Sequence, residues 1–192
     1  MSWLLSMWGR EDEGNALAQK ALELDPFSPI VLYRAGRVQF HAGHYDKAAE
    51  LFHRILERDP DDQMGRYGLG LVYEAQGKFA EAESTFQEPY RQSRFDLIAT
   101  YAAAGDKTAA RRRLTAELHR LQAEDSYIRP GYLAEVYTNL GEKDEALLWL
   151  ERGYREHDVW LALLNVWPRF DPLRSDPRFQ SLLRRINFPA AR

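Results

Sequence analysis

Residues 29–62 have the sequence PIVLYRAGRVQFHAGHYDKAAELFHRILERDPDD. Apolar and small residues recur there at three- and four-residue steps, a period that predicts two amphipathic α-helices. Gly43 lies at the hinge between them, and the small residues Gly36 and Ala48 are expected where the helices approach most closely. Asp59-Pro60 closes the pair, because proline cannot continue a helix and restrains the residue before it. A single pair cannot bury both of its apolar faces, and it therefore needs similar pairs beside it.

The chain supplies those neighbouring pairs at a regular spacing. The hinge glycines Gly9, Gly43 and Gly77 are 34 residues apart, and Gly105 and Gly141 follow after a further 28 and 36 residues. A helix–turn–helix unit that repeats every 34 residues or so is typical of tetratricopeptide repeats.

The residues at fixed positions within these units resemble the tetratricopeptide repeat family. Residues 19–26, QKALELDP, are similar to the end of a consensus repeat. The residues at the family's signature positions in the next two repeats are Gly36, Gly43, Tyr45, Ala48, Phe52, Pro60, Gly70, Tyr73, Gly77, Phe79, Ala82 and Phe86. The resemblance covers nearly the whole chain, and it implies an all-α fold, a right-handed superhelix of helical pairs.

We predict one domain, residues 1–192, in which the repeats precede a helical C-terminal cap. Its parts are a partial repeat at about 1–28, repeats at 29–62, 63–90, 91–126 and 127–158, and the cap at 159–192. Second helices of repeats are expected at about 11–24 and 107–123. A cap is expected because the last repeat of an array otherwise exposes an apolar face.

Prolines predict where some helices begin or bend. Asp171-Pro172 and Asp176-Pro177 each suit an N-cap aspartate followed by proline at the first helical position, so a short helix is expected to begin at each. Pro89 is expected either to kink the last turn of one helix or to begin the next.

The composition limits the classes of function. With 192 residues, of which 45% are hydrophobic, the chain can bury a substantial core. Its net charge of −3 argues against nucleic acid or an anionic membrane as the partner. The sequence has no cysteine, which excludes disulfides, thiol catalysis and thiolate metal sites. The apolar N-terminal run MSWLLSMWG is too short to span a bilayer, and we predict a cytoplasmic protein.

The sequence contains no nucleophile elbow, phosphate-binding loop or dinucleotide fingerprint. His41 and His44 have a spacing that metal sites use, but Gly43 separates them at the helix end and no third ligand of suitable spacing follows. Arg111–Arg113 fan out over about 200° of a helix, which favours salt bridges and solvation over a stripe that binds nucleic acid. We therefore predict no catalysis, no cofactor and no metal.

The resemblance implies a concave groove, lined by the first helix of each repeat, that binds peptides or partner helices. The predicted groove residues are Tyr33, Arg37, Phe40, His41, Met64, Tyr67, Leu71, Glu74, Phe95, Tyr132, Glu135 and Asn139. Aromatic residues with polar tips, and arginine, are typical of binding hot spots. The alternative is that some of them only pack between repeats. The subfamily that clamps C-terminal carboxylates has lysine and asparagine where this chain has Tyr33 and Arg37, so chaperone-tail binding is not supported.

These features favour a noncovalent scaffold that binds a protein or peptide segment in its groove. The alternative hypothesis is a sensory array that binds a small ligand and regulates an effector. Residues from about 127 onward are similar to the ends of bacterial proteins that join tetratricopeptide arrays to winged-helix DNA-binding domains, nucleotide cyclases or Ser/Thr kinases. An enclosed aromatic pocket would favour the sensory hypothesis, whereas an open groove would favour peptide binding.

The N-terminal residues suggest two further expectations. Counted back from Gly9, the first helix would start six residues before Met1, so the chain is either the C-terminal part of a longer protein or begins with a shortened helix. Trp3 and Trp8 lie on that remnant, and the exposed indole surface predicts weak self-association.

Overall fold

The computed structural model describes residue 5, residues 10–86 and residues 91–187. These residues form α-helices, 3-10 helices and turns without any β-strand, so the all-α prediction is confirmed. The α-helices are α1 (Glu11–Leu24), α2 (Pro29–His41), α3 (Tyr45–Leu56), α4 (Gln63–Ala75), α5 (Phe79–Thr85), α6 (Arg91–Ala103), α7 (Lys107–Ala123), α8 (Pro130–Leu140), α9 (Lys143–Arg155) and α10 (Pro177–Ile186). The 3-10 helices are η1 (Val159–Leu163) and η2 (Pro168–Leu173).

Helix positions and hinges agree with the repeat pattern. The helices predicted at 11–24 and 107–123 are α1 and α7. The hinge glycines of the described repeats, Gly43, Gly77, Gly105 and Gly141, have φ values of +75°, +73°, +90° and +81°. A side chain with a Cβ is strained in this left-handed region, so glycine is the residue that lets one helix end and the next begin. The predictions at Gly9 and Pro89 lie outside the described residues.

The two Asp-Pro steps of the C-terminal region behave differently. The carboxylate of Asp176 accepts a hydrogen bond from the Arg178 N–H at 2.8 Å, and Pro177 begins α10, as predicted. The prediction that a helix starts at Asp171-Pro172 is wrong, because Pro172 lies inside η2, which begins at Pro168. The Asp171 carboxylate instead accepts from the Arg174 Nε at 2.6 Å, and it is therefore engaged away from the backbone.

The chain divides into two compact units, the first of which contains Met1–Thr85 and Asn165–Pro168. In it, α2 packs against α1, α3 and α4. The ring of Phe52 on α3 fills the space left by two glycines: a Cβ at Gly36 or at Gly68 would lie 2.5 Å from a ring carbon. The close approach predicted at Gly36 is thus present, and Gly68 supplies a second one on α4.

The second unit contains Phe86–Leu164 and Arg169–Asn187. Here α6 packs against α7 and α8, and α9 packs against α8, η1 and α10. Apolar residues of η1, η2 and α10 are buried, among them Leu163, Phe170 and Phe179. The apolar side of the last repeat helix is therefore covered by the C-terminal residues. The prediction of a single domain for the whole chain stays a prediction.

Candidate protein-binding face

Within each unit, the predicted groove residues lie on the first helices of the repeats. The buried ones are Arg37, Phe40, His41, Leu71, Phe95 and Glu135. The half-buried ones are Tyr33, Met64, Tyr67, Glu74, Tyr132 and Asn139. Much of this burial comes from one part of the chain, which we call the C-terminal segment (residues 158–173, including η1 and η2).

In the first unit, three predicted residues follow one another at helical-turn spacing on α2. The Nη1 of Arg37 donates to the Tyr33 hydroxyl at 3.0 Å, and its Nη2 lies 3.2 Å from the Nε2 of His41. The indole of Trp167, from the C-terminal segment, covers them: the guanidinium carbon lies 5.1 Å from its ring centroid. The Phe40 ring lies 5.7 Å from the same indole. We call these five residues the α2 patch.

His41 is a neutral imidazole in this patch. Burial, and secondarily the positive charge of Arg37, holds the pKa of His41 well below its usual value. An unprotonated Nε2 can accept the hydrogen bond that the guanidinium donates. His44 is engaged elsewhere, with its Nδ1 3.0 Å from the Gln39 Oε1. Within the described residues there is no cluster of three His, Asp or Glu side chains that could hold a metal ion.

In the second unit, two buried carboxylates meet one buried guanidinium. The Nη1 of Arg169 donates to the Asp96 Oδ1 at 2.5 Å and to the Glu135 Oε2 at 2.6 Å. Asp96 lies on α6 and Glu135 on α8, and all three residues are less than 10% exposed. A charge that leaves water is costly unless it is paired, so this arrangement strongly favours a cation between the two helices.

Trp160 is the second contact of the C-terminal segment with this face. Its indole N–H donates to the other carboxylate oxygen of Glu135, Oε1. Its ring meets the Tyr132 ring edge-on, with centroids 5.4 Å apart. It also covers Gly131 so closely that a Cβ there would lie 2.5 Å from the Trp160 Cδ1. The indole can therefore lie against α8 because Gly131 has no side chain.

Asp158 joins the start of the segment to the start of α8. Its Oδ1 accepts from the Trp160 N–H and its Oδ2 from the Gly131 N–H, each at 3.0 Å. Burial raises the pKa of the neighbouring Tyr132 to about 12, so its hydroxyl stays protonated at neutral pH.

The residues of the second unit that make these contacts are called here the α6/α8 patch. They are Phe95, Asp96, Tyr132, Glu135, Trp160 and Arg169.

Three residues of the α6/α8 patch were not among the predicted groove residues: Asp96, Trp160 and Arg169. Arg169 is the single charged residue in the run VWLALLNVWPRF, residues 159–170, which was interpreted only as an apolar cap. A lone charged residue in an apolar run indicates that it is buried against a partner of opposite charge. Arg169 could therefore have been recognised from the sequence as a buried charge, although the acidic residues that it pairs with could not. The predicted residue Asn139 has a structural contact here, because its Nδ2 donates to the Ala99 carbonyl oxygen at 3.1 Å.

A separate cavity of about 260 Å³ lies between α6 and α7. It is lined by the apolar residues Leu97, Ile98 and Ala116 and by the charged residues Arg94, Arg113, Glu117 and Arg120. Glu117 is buried and pairs with Arg120 at 2.5 Å and with Arg94 at 3.6 Å. In the Arg111–Arg113 cluster, Arg111 pairs with Glu142 at 2.6 Å and the Arg113 guanidinium lies over the Tyr101 ring.

The paired helices, the hinge glycines and the spacing together define a tetratricopeptide repeat protein. The profile described as "Tetratricopeptide repeat" matches residues 9–62 and 33–96. Residues 9–96 therefore belong to the tetratricopeptide repeat family. Of the described residues, no helix is both long enough and apolar enough to cross a membrane.

Two comparisons extend this assignment. Over 89 residues, 46% of this chain and 52% of the relative, the sequence is 33% identical to the photosystem I assembly protein Ycf3 of Acaryochloris marina (strain MBIC 11017). The match thus spans about half the length of that protein. A crystal structure of TTC0263, a thermophilic tetratricopeptide repeat protein of Thermus thermophilus, covers 91% of each chain with a TM-score of 0.59 and 26% identity.

Proposed function

We propose that this protein is a noncovalent, cytoplasmic scaffold that binds a protein or peptide segment on the first-helix face of its repeats and carries out no catalysis. One observation carries the proposal: α6 and α8 already hold a non-repeat segment of polypeptide by its indole and guanidinium groups. Tryptophan and arginine are the residues that dominate hot spots between proteins. A face with this chemistry is suited to bind polypeptide.

The similarity to Ycf3 supports the same class of function. That relative is described as a photosystem I assembly protein. Because the match covers about half of it, its partners do not transfer to this chain. The predicted groove residues remain our proposal within each unit, and the half-buried ones are the proposed direct contacts. Among these, the α4 residues Met64, Tyr67 and Glu74 are side chains through which a partner could gain further contact.

The proposal is tested by capture with matched variants. Tyr67 and Glu74 are seven residues, about two turns, apart on α4 and therefore share a face. Immobilised wild-type chain and a Tyr67→Ala/Glu74→Ala variant would be compared by quantitative mass spectrometry of retained proteins. The control variant Glu23→Ala/Leu24→Ala removes one acid and one apolar side chain that are exposed on α1. We expect the same partner to be retained by the wild type and the control and to be lost, by about tenfold or more, from the α4 variant. Equal retention by all three would contradict the proposed surface.

A second candidate function is the sensory or regulatory module of a bacterial transcription regulator, cyclase or kinase system. The observation behind it is the cavity between α6 and α7, where aliphatic side chains lie beside arginine side chains, a combination that suits a small molecule with an acidic group. None of the residues that line this cavity is aromatic, so it is not the enclosed aromatic pocket that the sequence analysis named. Thermal shift with a panel of small carboxylates and phosphates tests it, and Arg113→Ala, which removes a residue that lines the cavity, should remove any shift. A panel without effect would contradict this second candidate.

A further inference from the structure

The α6/α8 patch holds the C-terminal segment as if that segment were a ligand. In this patch the segment is anchored by two side chains, Trp160 and Arg169, which are nine residues apart and meet the same acidic residue, Glu135. Other side chains of the segment, among them Leu164, Trp167 and Phe170, are buried outside this pair of contacts. Its backbone forms two short 3-10 helices, whose hydrogen bonds have poorer geometry than those of an α-helix. Side-chain anchors on a weakly structured backbone are typical of bound peptides.

The electrostatics of the patch select the class of ligand. Asp96 and Glu135 place two carboxylates on neighbouring helices, and Arg169 brings one positive charge to them. The other carboxylate oxygen of Glu135, Oε1, accepts from an indole N–H, a donor that carries no charge. Beside these acids, the Tyr132 ring contacts the indole and is itself packed against Phe95, with the Tyr132 and Phe95 ring centroids 5.6 Å apart. The site therefore fits a guanidinium together with a large aromatic side chain.

We propose that the α6/α8 patch is a binding site for a polypeptide segment that carries a tryptophan and an arginine about nine residues apart, and that residues 158–173 are its built-in competitor. A partner of this chemistry binds when the C-terminal segment leaves. The inference rests on the proposed scaffold function and specifies its partner. An internal ligand competes at an effective concentration in the millimolar range, so the wild-type chain holds the site closed against weak partners.

The direct test uses a labelled synthetic peptide of residues 157–174 as the probe. The full chain would be compared with a full-length Trp160→Ala/Arg169→Ala variant, in which both anchors are removed. We expect the peptide to bind the variant at least about tenfold more tightly than the wild type, because the internal competitor is weakened. A control peptide with the same two alanines should bind the variant at least about tenfold more weakly.

A third substitution identifies the site. Adding Asp96→Asn to the double variant removes one of the two acids that attract the guanidinium, so it should weaken peptide binding about tenfold and reduce its dependence on salt. A folded double variant that does not bind the peptide, equal binding to the wild type and the double variant, or binding unaffected by Asp96→Asn would each overturn the inference.

If the double variant does not fold, hydrogen exchange of the unmodified chain tests whether the C-terminal segment opens separately from the repeats. The amides of η1 and η2 should exchange at least about tenfold faster than those of α8, because the segment opens while the repeats stay folded. Exchange of both at one common rate would mean that the segment leaves only on global unfolding, and the inference would be wrong. A negative peptide result combined with capture through Tyr67 and Glu74 would overturn this inference alone and leave the scaffold function standing.

Discussion

His41 and Arg37 lie one turn apart on α2, and both are buried. Each residue affects the hydrogen bonding or the protonation of the other. The guanidinium needs an acceptor, and the neutral imidazole supplies one at 3.2 Å. The same pairing makes a proton on His41 unfavourable, because burial and the positive charge of Arg37 both oppose it. A contact that stabilises the α2 patch at neutral pH is therefore lost in acid.

We expect the stability of the protein to fall as the pH decreases from 7.5 to 5.5. The unfolded chain binds a proton at His41 near its ordinary pKa of about 6.5, whereas the folded chain does not, so protonation favours unfolding. The contribution is present above pH 6.5 or so and is lost below it, by up to about 1.4 kcal/mol per pH unit. Urea unfolding at several pH values measures it. His41→Gln should flatten the dependence, and His53→Gln, on the exposed side of α3, should not. An unchanged slope in His41→Gln would contradict this explanation.

Gly36 and Gly68 face the same ring, and this predicts the effect of adding one methyl group. Phe52 cannot retreat from a Cβ at Gly36 without moving towards Gly68, because both positions are 2.5 Å from its ring carbons. Overpacking of this kind costs about 1–3 kcal/mol, which exceeds the gain in helix propensity. Because replacing glycine by alanine gains up to about 1 kcal/mol of helix propensity, we expect Gly36→Ala and Gly68→Ala each to lower the free energy of unfolding by up to about 2 kcal/mol net.

Gly153 on α9 is the matched control for those substitutions. A Cβ there would meet its nearest atoms, on Leu161 and Pro130, at 3.4 Å, which is ordinary contact. Gly153→Ala should therefore be neutral or stabilising, by up to about 1 kcal/mol. Urea denaturation of all three variants measures the changes in the free energy of unfolding. Equal changes at the three glycines would show that helix propensity, and not overpacking against the Phe52 ring, determines the effect.

At the scale of the helices, boundaries are determined by local chemistry and are therefore well predicted. The glycine hinges adopt positive φ, and α7 occupies the range that its periodicity indicates. The exception is η2, where the Asp171 carboxylate pairs with Arg174 and no helix begins. Two Asp-Pro steps of the same composition thus differ because their side chains have different neighbours.

This difference predicts unequal effects of two similar substitutions. Asp176→Ala removes the acceptor for the N–H of Arg178 at the start of α10, and it should lower the melting temperature by about 2–4 °C. Asp171→Ala removes a surface ion pair and no cap, so its melting temperature should stay at the wild-type value. Circular dichroism melts measure both. Equal losses would indicate that Asp171 also caps a helix.

At the scale of the whole chain, the two compact units are interleaved in sequence. Asn165–Pro168 belongs to the first unit, although the residues on both sides of it belong to the second. Neither unit is therefore a continuous stretch of chain that could be separated by a single cut. This connectivity supports the prediction that residues 1–192 behave as one domain.

We expect one cooperative unfolding transition in scanning calorimetry. The calorimetric and van't Hoff enthalpies should agree, because partial unfolding would require the interleaved residues to leave one unit while the other stays folded. Two resolved transitions would contradict the single domain.

The prediction of self-association through Trp3 and Trp8 concerns residues outside those that the structure describes, and sedimentation of a Trp3→Ser/Trp8→Ser variant tests it.

The sequence by itself determined the helices, their hinges and the family, because helical periodicity and the strain of positive φ act within one or two turns of the chain. Gly43 and Gly141 illustrate this, since each was recognised from spacing alone and each adopts the left-handed conformation. The close approach at Gly36 followed in the same way from the pattern of one helical pair.

Only the tertiary structure decided what lies on the first-helix face. Arg169 reaches Glu135 and Asp96, which precede it by 34 and 73 residues. It lies in the nonrepetitive C-terminal region, so the repeat pattern does not indicate this contact. The charge is buried because two acids from neighbouring helices compensate for its loss of water, and that compensation depends on where the helices bring the acids in space. A pattern along the chain can indicate that a lone arginine in an apolar run needs partners, but the packing of α6 beside α8 determines which partners it finds.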